Sequence, residues 1–143
     1  MYGALDISTS GMIAQRTRHD GFAANIANYN AFSVDAAGNV DPYRRRQVLV
    51  APGNPTATTA EGRRMGVHVS EIQINQNAVR PKFDPTNPYA SKSGPDTGYI
   101  LMPDIDLVTE QVDDLEAKRA YEANLVAAEA TKSMMAQALR LIA

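Results

Sequence analysis

The sequence predicts an α+β protein in which long N- and C-terminal helices pair in a coiled-coil-like layer, with a small β-rich, loop-rich segment between them. Apolar residues recur at helical spacing in residues 4–29 and again in residues 104–142. All eight prolines lie between these two segments, and this density excludes long helices from the middle of the chain. Neither terminal helix has an obvious partner within the chain except the other, so we expect the two ends to pack together.

The N-terminal helix carries a heptad-like stripe whose members alternate at spacings of three and four residues. Several of these positions are polar or small, so the helix should be weak alone and should need partners on that face. The stripe consists of Leu5, Ser8, Met12, Gln15, His19, Phe22, Ile26 and Tyr29.

Three asparagines, Asn25, Asn28 and Asn30, end this segment in the stretch AANIANYNA. Asparagine is a poor helix former, because its amide competes for backbone hydrogen bonds. A helix cap needs only one of them, while Asn25 and Asn28 share a face beside alanines that permit close approach. We therefore expect interhelical packing combined with capping, with capping alone as the alternative.

The middle segment predicts two short strands, residues 43–50 and 66–74, separated by loops at residues 52–64 and 84–98. In the second strand the apolar positions change parity, with Val67 and Val69 on one register and Ile72 and Ile74 on the other. This change predicts a β-bulge or an exchanged face.

The run Arg44-Arg45-Arg46 lies at the start of the first predicted strand. Side chains of neighbouring strand residues point to opposite faces, so the three bases should not form one patch. We expect a solvated, charged strand that blocks unwanted strand addition. A salt bridge to a neighbouring subunit's acidic helix is the main alternative, and contact with peptidoglycan is a more distant one.

The C-terminal helix should begin at Asp104 or Asp106, either of which can cap it. Acidic residues crowd its first turns and Lys132 and Arg140 come late, which matches the helix dipole. Tyr121 is the best candidate for a buried aromatic anchor. Two apolar stripes, offset near residue 118, comprise Val108, Val112 and Leu115, and then Tyr121, Leu125, Ala128, Met135, Leu139 and Ile142.

Composition excludes several classes of function. The chain has no cysteine, so thiolate metal sites and disulfides are excluded, and its net charge of −2 argues against nucleic acid as the main partner. The N-terminus lacks the basic and apolar regions of a secretory signal. Neither His19 nor His68 has a partner at catalytic or metal-ligating spacing. We expect no catalytic residue, cofactor or metal ion.

Short stretches at both ends resemble the paired signatures of the bacterial flagellar rod and hook proteins. At the N-terminal end these are residues 10–16 (SGMIAQR) and 24–28 (ANIAN), and at the C-terminal end residues 117–124 (AKRAYEAN). Each is short, but one at each end of a cysteine-free chain of this size makes the resemblance strong.

The middle of the chain is similar to elements of the proximal rod members of this family, in the same order. These elements are residues 43–45 (YRR), 66–69 (GVHV), 83–88 (FDPTNP) and 98–105 (GYILMPDI). The resemblance therefore covers nearly the whole chain, although His19, Lys118 and Asp104 depart from the family pattern.

The resemblance implies a structural subunit of the proximal rod. Such a subunit polymerises in the periplasm, as part of the axle that transmits motor torque to the hook and filament. It is exported by the flagellar type III apparatus without a cleaved signal peptide. The implied partners are copies of the same chain and the rod proteins FlgB, FlgF, FlgG and FliE.

The resemblance also implies three regions. Residues 1–31 and 104–143 supply the two helices of an inner core domain, and residues 32–103 form the β-rich middle segment. The terminal helices would carry the subunit interface. The expected interface residues are Leu5, Met12, Phe22, Asn25, Ile26, Asn28, Val112, Leu115, Arg119, Tyr121, Asn124, Leu125, Met135 and Leu139.

Three alternatives remain open at this point. The chain could be another member of the rod and hook family, FlgB-, FlgF- or FlgG-like. It could be an enzyme acting on the cell wall, which would need a paired carboxylate or a histidine-based site. It could also be a coiled-coil adaptor that stays in the cytoplasm.

Overall fold

Two long helices at the ends of the chain pack antiparallel against each other in the computed structural model. The structure describes residues 2–36, 38–57, 59–92 and 94–142. The predicted α+β architecture is confirmed: paired terminal helices with a small β-rich middle. In chain order the elements are α1 (Tyr2–Ala27), β1 (Phe32–Val34), β2 (Val40–Pro42), β3 (Arg46–Pro52), α2 (Ala60–Arg64), β4 (Val67–Ile74), β5 (Val79–Phe83), β6 (Tyr99–Pro103) and α3 (Leu107–Ile142).

Helix α3 begins where Asp106 caps it. The Asp106 carboxylate accepts hydrogen bonds from Val108 N at 3.1 Å and from Thr109 Oγ1 at 2.8 Å. These bonds, that from Thr109 first, hold the pKa of the Asp106 carboxyl below its ordinary value. Asp104, the other candidate cap, instead donates its backbone N–H to Ala78 O at 3.0 Å. The cap therefore lies two residues later than the first position that the sequence allowed.

The middle segment forms three separate two-stranded antiparallel ribbons, β1–β2, β3–β4 and β5–β6. In β3–β4, Leu49 pairs with Glu71 and Val50 with Val69, so Ser70 is an extra residue on β4. This bulge confirms the one predicted from the change of apolar parity. It resets the register at the point where the valines give way to the isoleucines.

Sequence reasoning found two of the six strands, and it placed the first of these too early. Strand β3 begins at Arg46 rather than residue 43. The sequence does not reveal the short ribbons, because their strands have only three or five residues, and three of the four contain a proline. The sequence predicts a loop where helix α2 forms, and Thr59 caps this helix by accepting a hydrogen bond from Gly62 N at 3.0 Å.

The seam between α1 and α3 is built from small and polar side chains. Ala14 is 1% exposed and Ala117 is 0% exposed. Gly11 is buried as well, and a Cβ added there would lie 2.7 Å from Asn124 Oδ1. The helices are therefore close enough that glycine and alanine decide their separation.

The β-rich middle segment has a second, smaller core next to the start of α3. Ile100, Met102 and Ile105 are 3%, 8% and 4% exposed, and Ala78 and Ala90 are buried with them. Ile100 and Met102 lie in β6, Ile105 follows β6, and Ala78 precedes β5. This cluster positions the chain as it enters α3.

Helix α1 also contacts the β3–β4 ribbon on a face other than the one that meets α3. Ser10 Oγ accepts a hydrogen bond from Val67 N at 3.1 Å. A Cβ at Gly21 would lie 2.9 Å from the Val48 side chain, so glycine permits this close approach. Helix α1 is thus covered on two sides.

In the part of the chain that the structure describes, no helix is apolar and long enough to cross a membrane.

The Gly11 contact gives a first prediction. Gly11→Ala should lower the free energy of unfolding by about 1–3 kcal/mol, because the added methyl group overpacks the seam against Asn124. This cost should outweigh the helix propensity that alanine brings. Thermal or urea unfolding would measure it.

Two further variants control this prediction. Gly11→Ala combined with Asn124→Ala should recover most of the loss, since the second change removes the clashing side chain. Gly3→Ala is the matched control on the same helix, because its Cβ would meet nothing closer than 3.4 Å. Equal effects of the two glycine substitutions would contradict the close-approach argument.

Candidate subunit interface

A buried polar network at Asn25 joins α1, β3 and α3. The Asn25 Nδ2 group donates to Glu110 Oε2 and to Arg46 O, both at 2.8 Å. Its Oδ1 atom accepts from Arg46 N at 2.9 Å and from Tyr43 Oη at 3.2 Å. Two donated and two accepted bonds use the full hydrogen-bonding capacity of the amide. Asn25 is 0% exposed, so these four bonds replace its hydration completely.

Glu110 completes the network from α3. Its Oε1 atom accepts from Arg45 Nε at 2.6 Å, and its side chain is 1% exposed. A buried carboxylate is tolerated only when it is paired and hydrogen-bonded, and here both oxygens have partners.

Burial is the main cause that raises the pKa of the nearby Tyr43 hydroxyl, and the Arg46 charge opposes it. Throughout the described residues, no buried side-chain nitrogen or oxygen lacks a hydrogen-bond partner.

The arginine run therefore has a different role from the one expected. The expectation of a solvated strand is wrong for Arg45, which precedes β3 and binds Glu110 within the same chain. Arg44 pairs with Asp41 at 3.3 Å, and only Arg46 lies in the strand. The sequence predicts a strand over all three residues, and local strand geometry does not reveal that Arg45 contacts Glu110, 65 residues away.

The asparagine cluster divides into distinct roles. Asn25 supplies the expected interhelical contact, and it does so within one chain. Asn28 donates its side-chain Nδ2 to Ala24 O at 2.8 Å, and its backbone oxygen accepts from Ala31 N. It thus satisfies carbonyls at the helix end, as a cap should. Asn30 is exposed in the following turn.

A second ionic cluster lies further along the helix pair, one turn after Glu110 on α3. Asp114 Oδ1 contacts His19 Nδ1, and Asp114 Oδ2 accepts from Lys118 Nζ at 2.7 Å. Burial opposes ionisation of Asp114, but the bonds from Lys118 and His19 dominate together and lower its pKa below the ordinary value. Among the described residues, no group of three histidine or acidic side chains is arranged to hold a metal ion.

The large apolar residues of α3 point away from the seam. Val108, Val112 and Leu115 are 67%, 59% and 49% exposed. The seam takes Glu110, Asp114 and Ala117 from the same helix instead. This arrangement leaves an apolar surface near the start of α3 without a partner among the described residues.

The expected interface residues consequently fall into two groups. Those of α1 face inward: Phe22 and Asn25 are buried, and Leu5, Met12, Ile26 and Asn28 are half-buried. Those of α3 are mostly outward. Asn124 and Met135 are half-buried, whereas Val112, Leu115, Arg119, Tyr121, Leu125 and Leu139 are exposed.

Sequence reasoning missed the residues that hold the helix pair together. Gly11, Ala14 and Ala117 carry no apolar bulk, and Glu110 reads as an ordinary first-turn acid. The available signal was their spacing: Glu110, Ala117 and Asn124 are seven residues apart, which is one heptad. The large apolar side chains that recur along α3 lie mostly on its exposed face, so a pattern based on them does not identify the seam.

The chain is similar over nearly its whole length to curated proteins, although no protein-family model matches it. It is 33% identical to the flagellar basal-body rod protein FlgC of Borreliella burgdorferi, covering 99% of this chain and 97% of that protein. It is 32% identical to FlgC of Bacillus subtilis, covering 98% and 97%. It is 37% identical to FlgC of Aquifex aeolicus, covering 94% and 91%.

The Asn25 network predicts an unequal response to two matched substitutions. Asn25→Ala should lower the free energy of unfolding by about 2–4 kcal/mol, because it leaves the Glu110 carboxylate and both Arg46 backbone groups short of partners. Asn28→Ala, on the same helix, removes only a local bond and should cost about 1 kcal/mol or less. Urea unfolding of both variants measures the difference. An equal cost would disprove the role of the Asn25 network in holding the two helices together.

The Asp114 cluster predicts a pH dependence. Because the folded-state pKa of Asp114 is depressed, its contribution to stability is present above the unfolded-state pKa and is lost as pH falls through the folded-state value. The stability difference between the wild type and Asp114→Asn should therefore shrink from about pH 5 to about pH 2. Unfolding curves across this range measure it, and a difference that grows on acidification would contradict the assignment.

Proposed function

The chain belongs to the FlgC family of flagellar basal-body rod proteins, and from that membership we propose that it is a structural subunit of the proximal rod. In that role it polymerises in the periplasm as part of the axle that carries motor torque to the hook and filament. It is a rod protein and not an enzyme. The alternatives of a cell-wall hydrolase and of a cytoplasmic adaptor have no support from these relatives.

The observation that best supports assembly is the distribution of side chains on α3. A helix of 36 residues buries small and polar residues against α1 and presents valines and leucines outward. An extended apolar surface of this kind marks a protein–protein interface. Each such side chain is about half exposed, so its complete burial in an assembly would contribute about 1 kcal/mol.

The Asn25 network suits a subunit that bears mechanical load. The bond between Asn25 and Glu110 holds α1 against α3, and Arg45 joins Glu110 to the segment before β3. A subunit whose helices cannot slide past each other transmits force between its neighbours without changing shape. An axle subunit requires both a fixed arrangement of its own helices and an outer surface that binds its neighbours.

We infer the partners and regions from family membership. The neighbours in the rod would be copies of this chain and of FlgB, FlgF, FlgG and FliE, and export would use the flagellar type III apparatus. Residues 1–31 and 104–143 would form the inner core domain, and residues 32–103 the outer part. The α3 residues Val112, Leu115, Tyr121 and Leu125 would meet neighbouring subunits.

A charged residue on the outer face of α3 tests this proposal. Leu125→Asp should abolish motility and rod assembly, because Leu125 is 41% exposed and its partner would be another subunit. The monomer should keep its stability within about 0.5–1 kcal/mol, as expected of a surface change. Swimming assays, examination of basal bodies and unfolding of the purified protein provide the measurements.

The matched control is Gln111→Asp, which adds the same negative charge at an exposed polar position of α3. It should leave motility intact. Ile26 is a poorer test, because it is half-buried within the chain and a charge there would disturb folding as well. Normal swimming of the Leu125→Asp strain would refute the assignment of this face.

A further inference from the structure

The C-terminal end of α3 extends beyond the start of α1. The antiparallel pairing brings Asn25 opposite Glu110 and Gly11 opposite Asn124. In the same register, the start of α1 lies opposite about residue 133, so residues 133–142 have passed the end of their partner helix. At 1.5 Å per residue this projection is about 15 Å long.

The projection is apolar and mostly exposed, with Met135 and Ala138 half-buried. Met134, Leu139 and Leu141 are 61%, 68% and 89% exposed. Met134, Ala138 and Leu141 are spaced to lie along one side of the helix. Arg140 is the one charged residue in this stretch of the sequence, so the projection carries a single positive charge.

A groove of matching length lies between α1 and the segment that contains α2. It has a volume of about 330 Å³ and runs along residues 3–13, with α2 and the preceding loop as its second wall. Ten residues of helix correspond to about 15 Å, the length of the projection. Its lining includes Ile7, Ile13 and Met65, which are 44%, 61% and 47% exposed.

The charges of the two surfaces are opposite. Among the described residues that line the groove, Asp6 is the only charged one. Asp6 and Arg140 are both exposed, and within the described residues neither has an ion-pair partner. The two surfaces are therefore complementary in length, in apolar character and in charge.

We propose that residues 133–142 of one copy dock in the groove along residues 3–13 of a second copy, with Arg140 facing Asp6. A chain cannot fill its own groove with this segment, because α3 is one continuous helix whose residues 133–142 lie beyond the start of α1. A contact between two different surfaces of identical subunits is head-to-tail, and it generates a ring or an open helical filament. The docking rests on the proposed function and adds which two surfaces meet.

The absence of cysteine from the sequence makes a direct test possible. Cells would carry Ile7→Cys with Leu141→Cys as the sole copy, and their isolated basal bodies would be oxidised and separated without reductant. Docking should bring the two Cα atoms to roughly 6 Å, close enough for a disulfide. The expected result is a ladder of dimers and larger multimers from the double variant and only monomer from either single variant.

Matched variants sharpen this test. Asp20→Cys with Leu141→Cys places the first cysteine on the same helix, exposed but outside the groove, and should give no ladder. Met65→Cys with Leu141→Cys probes the opposite wall and replaces the first pair if that variant fails to enter basal bodies.

Charge reversal gives an independent measurement in the cysteine-pair background. Asp6→Arg or Arg140→Asp alone should lower the cross-linked fraction roughly twofold to fivefold, the range for one exposed ion pair. The two reversals together should restore it, and Asp20→Arg should change nothing.

The outcomes separate the docking from the function on which it rests. Basal bodies that contain the cysteine variants but yield no ladder would overturn the docking alone. Dimers formed by Leu141→Cys alone would also overturn it, because they require a symmetric contact. Absence of the wild-type chain from basal bodies would instead overturn the proposed function.

Discussion

The hydrogen bond between Asn25 and Glu110 is the contact on which the rest of the structure depends. Both side chains are excluded from water, and each is also bonded to the segment around β3. A buried carboxylate that loses a partner costs several kcal/mol. The two helices therefore cannot shift by a turn without leaving this group unsatisfied. Polar pairing, rather than apolar packing, determines their register.

The close approach of the helices follows from the rest of the seam. Gly11, Ala14 and Ala117 let the backbones come together, and no large side chain could fit between them. The valines and leucines of α3 must then project elsewhere. The small side chains that bring the two helices close together thus leave the subunit with an apolar surface that only an assembly can bury.

The two helices are not equivalent in this respect. Helix α1 meets α3 on one face and the β3–β4 ribbon on another, through Ser10, Gly21 and Asn25. Helix α3 packs mainly against α1. This asymmetry explains why the predicted interface residues of α1 are enclosed, whereas most of those of α3 are exposed.

The sequence by itself determined the elements that local physics controls. Periodic apolar spacing predicted both long helices, proline density restricted the middle to short elements, and a change of parity predicted the bulge at Ser70. Paired terminal signatures identified the family, which the FlgC relatives confirm. Only the tertiary structure decided which face of each helix meets the other. That choice rests on contacts between distant residues, such as Asn25 with Glu110 and Gly11 with Asn124, and neither local propensity nor the size of a side chain reveals such pairs.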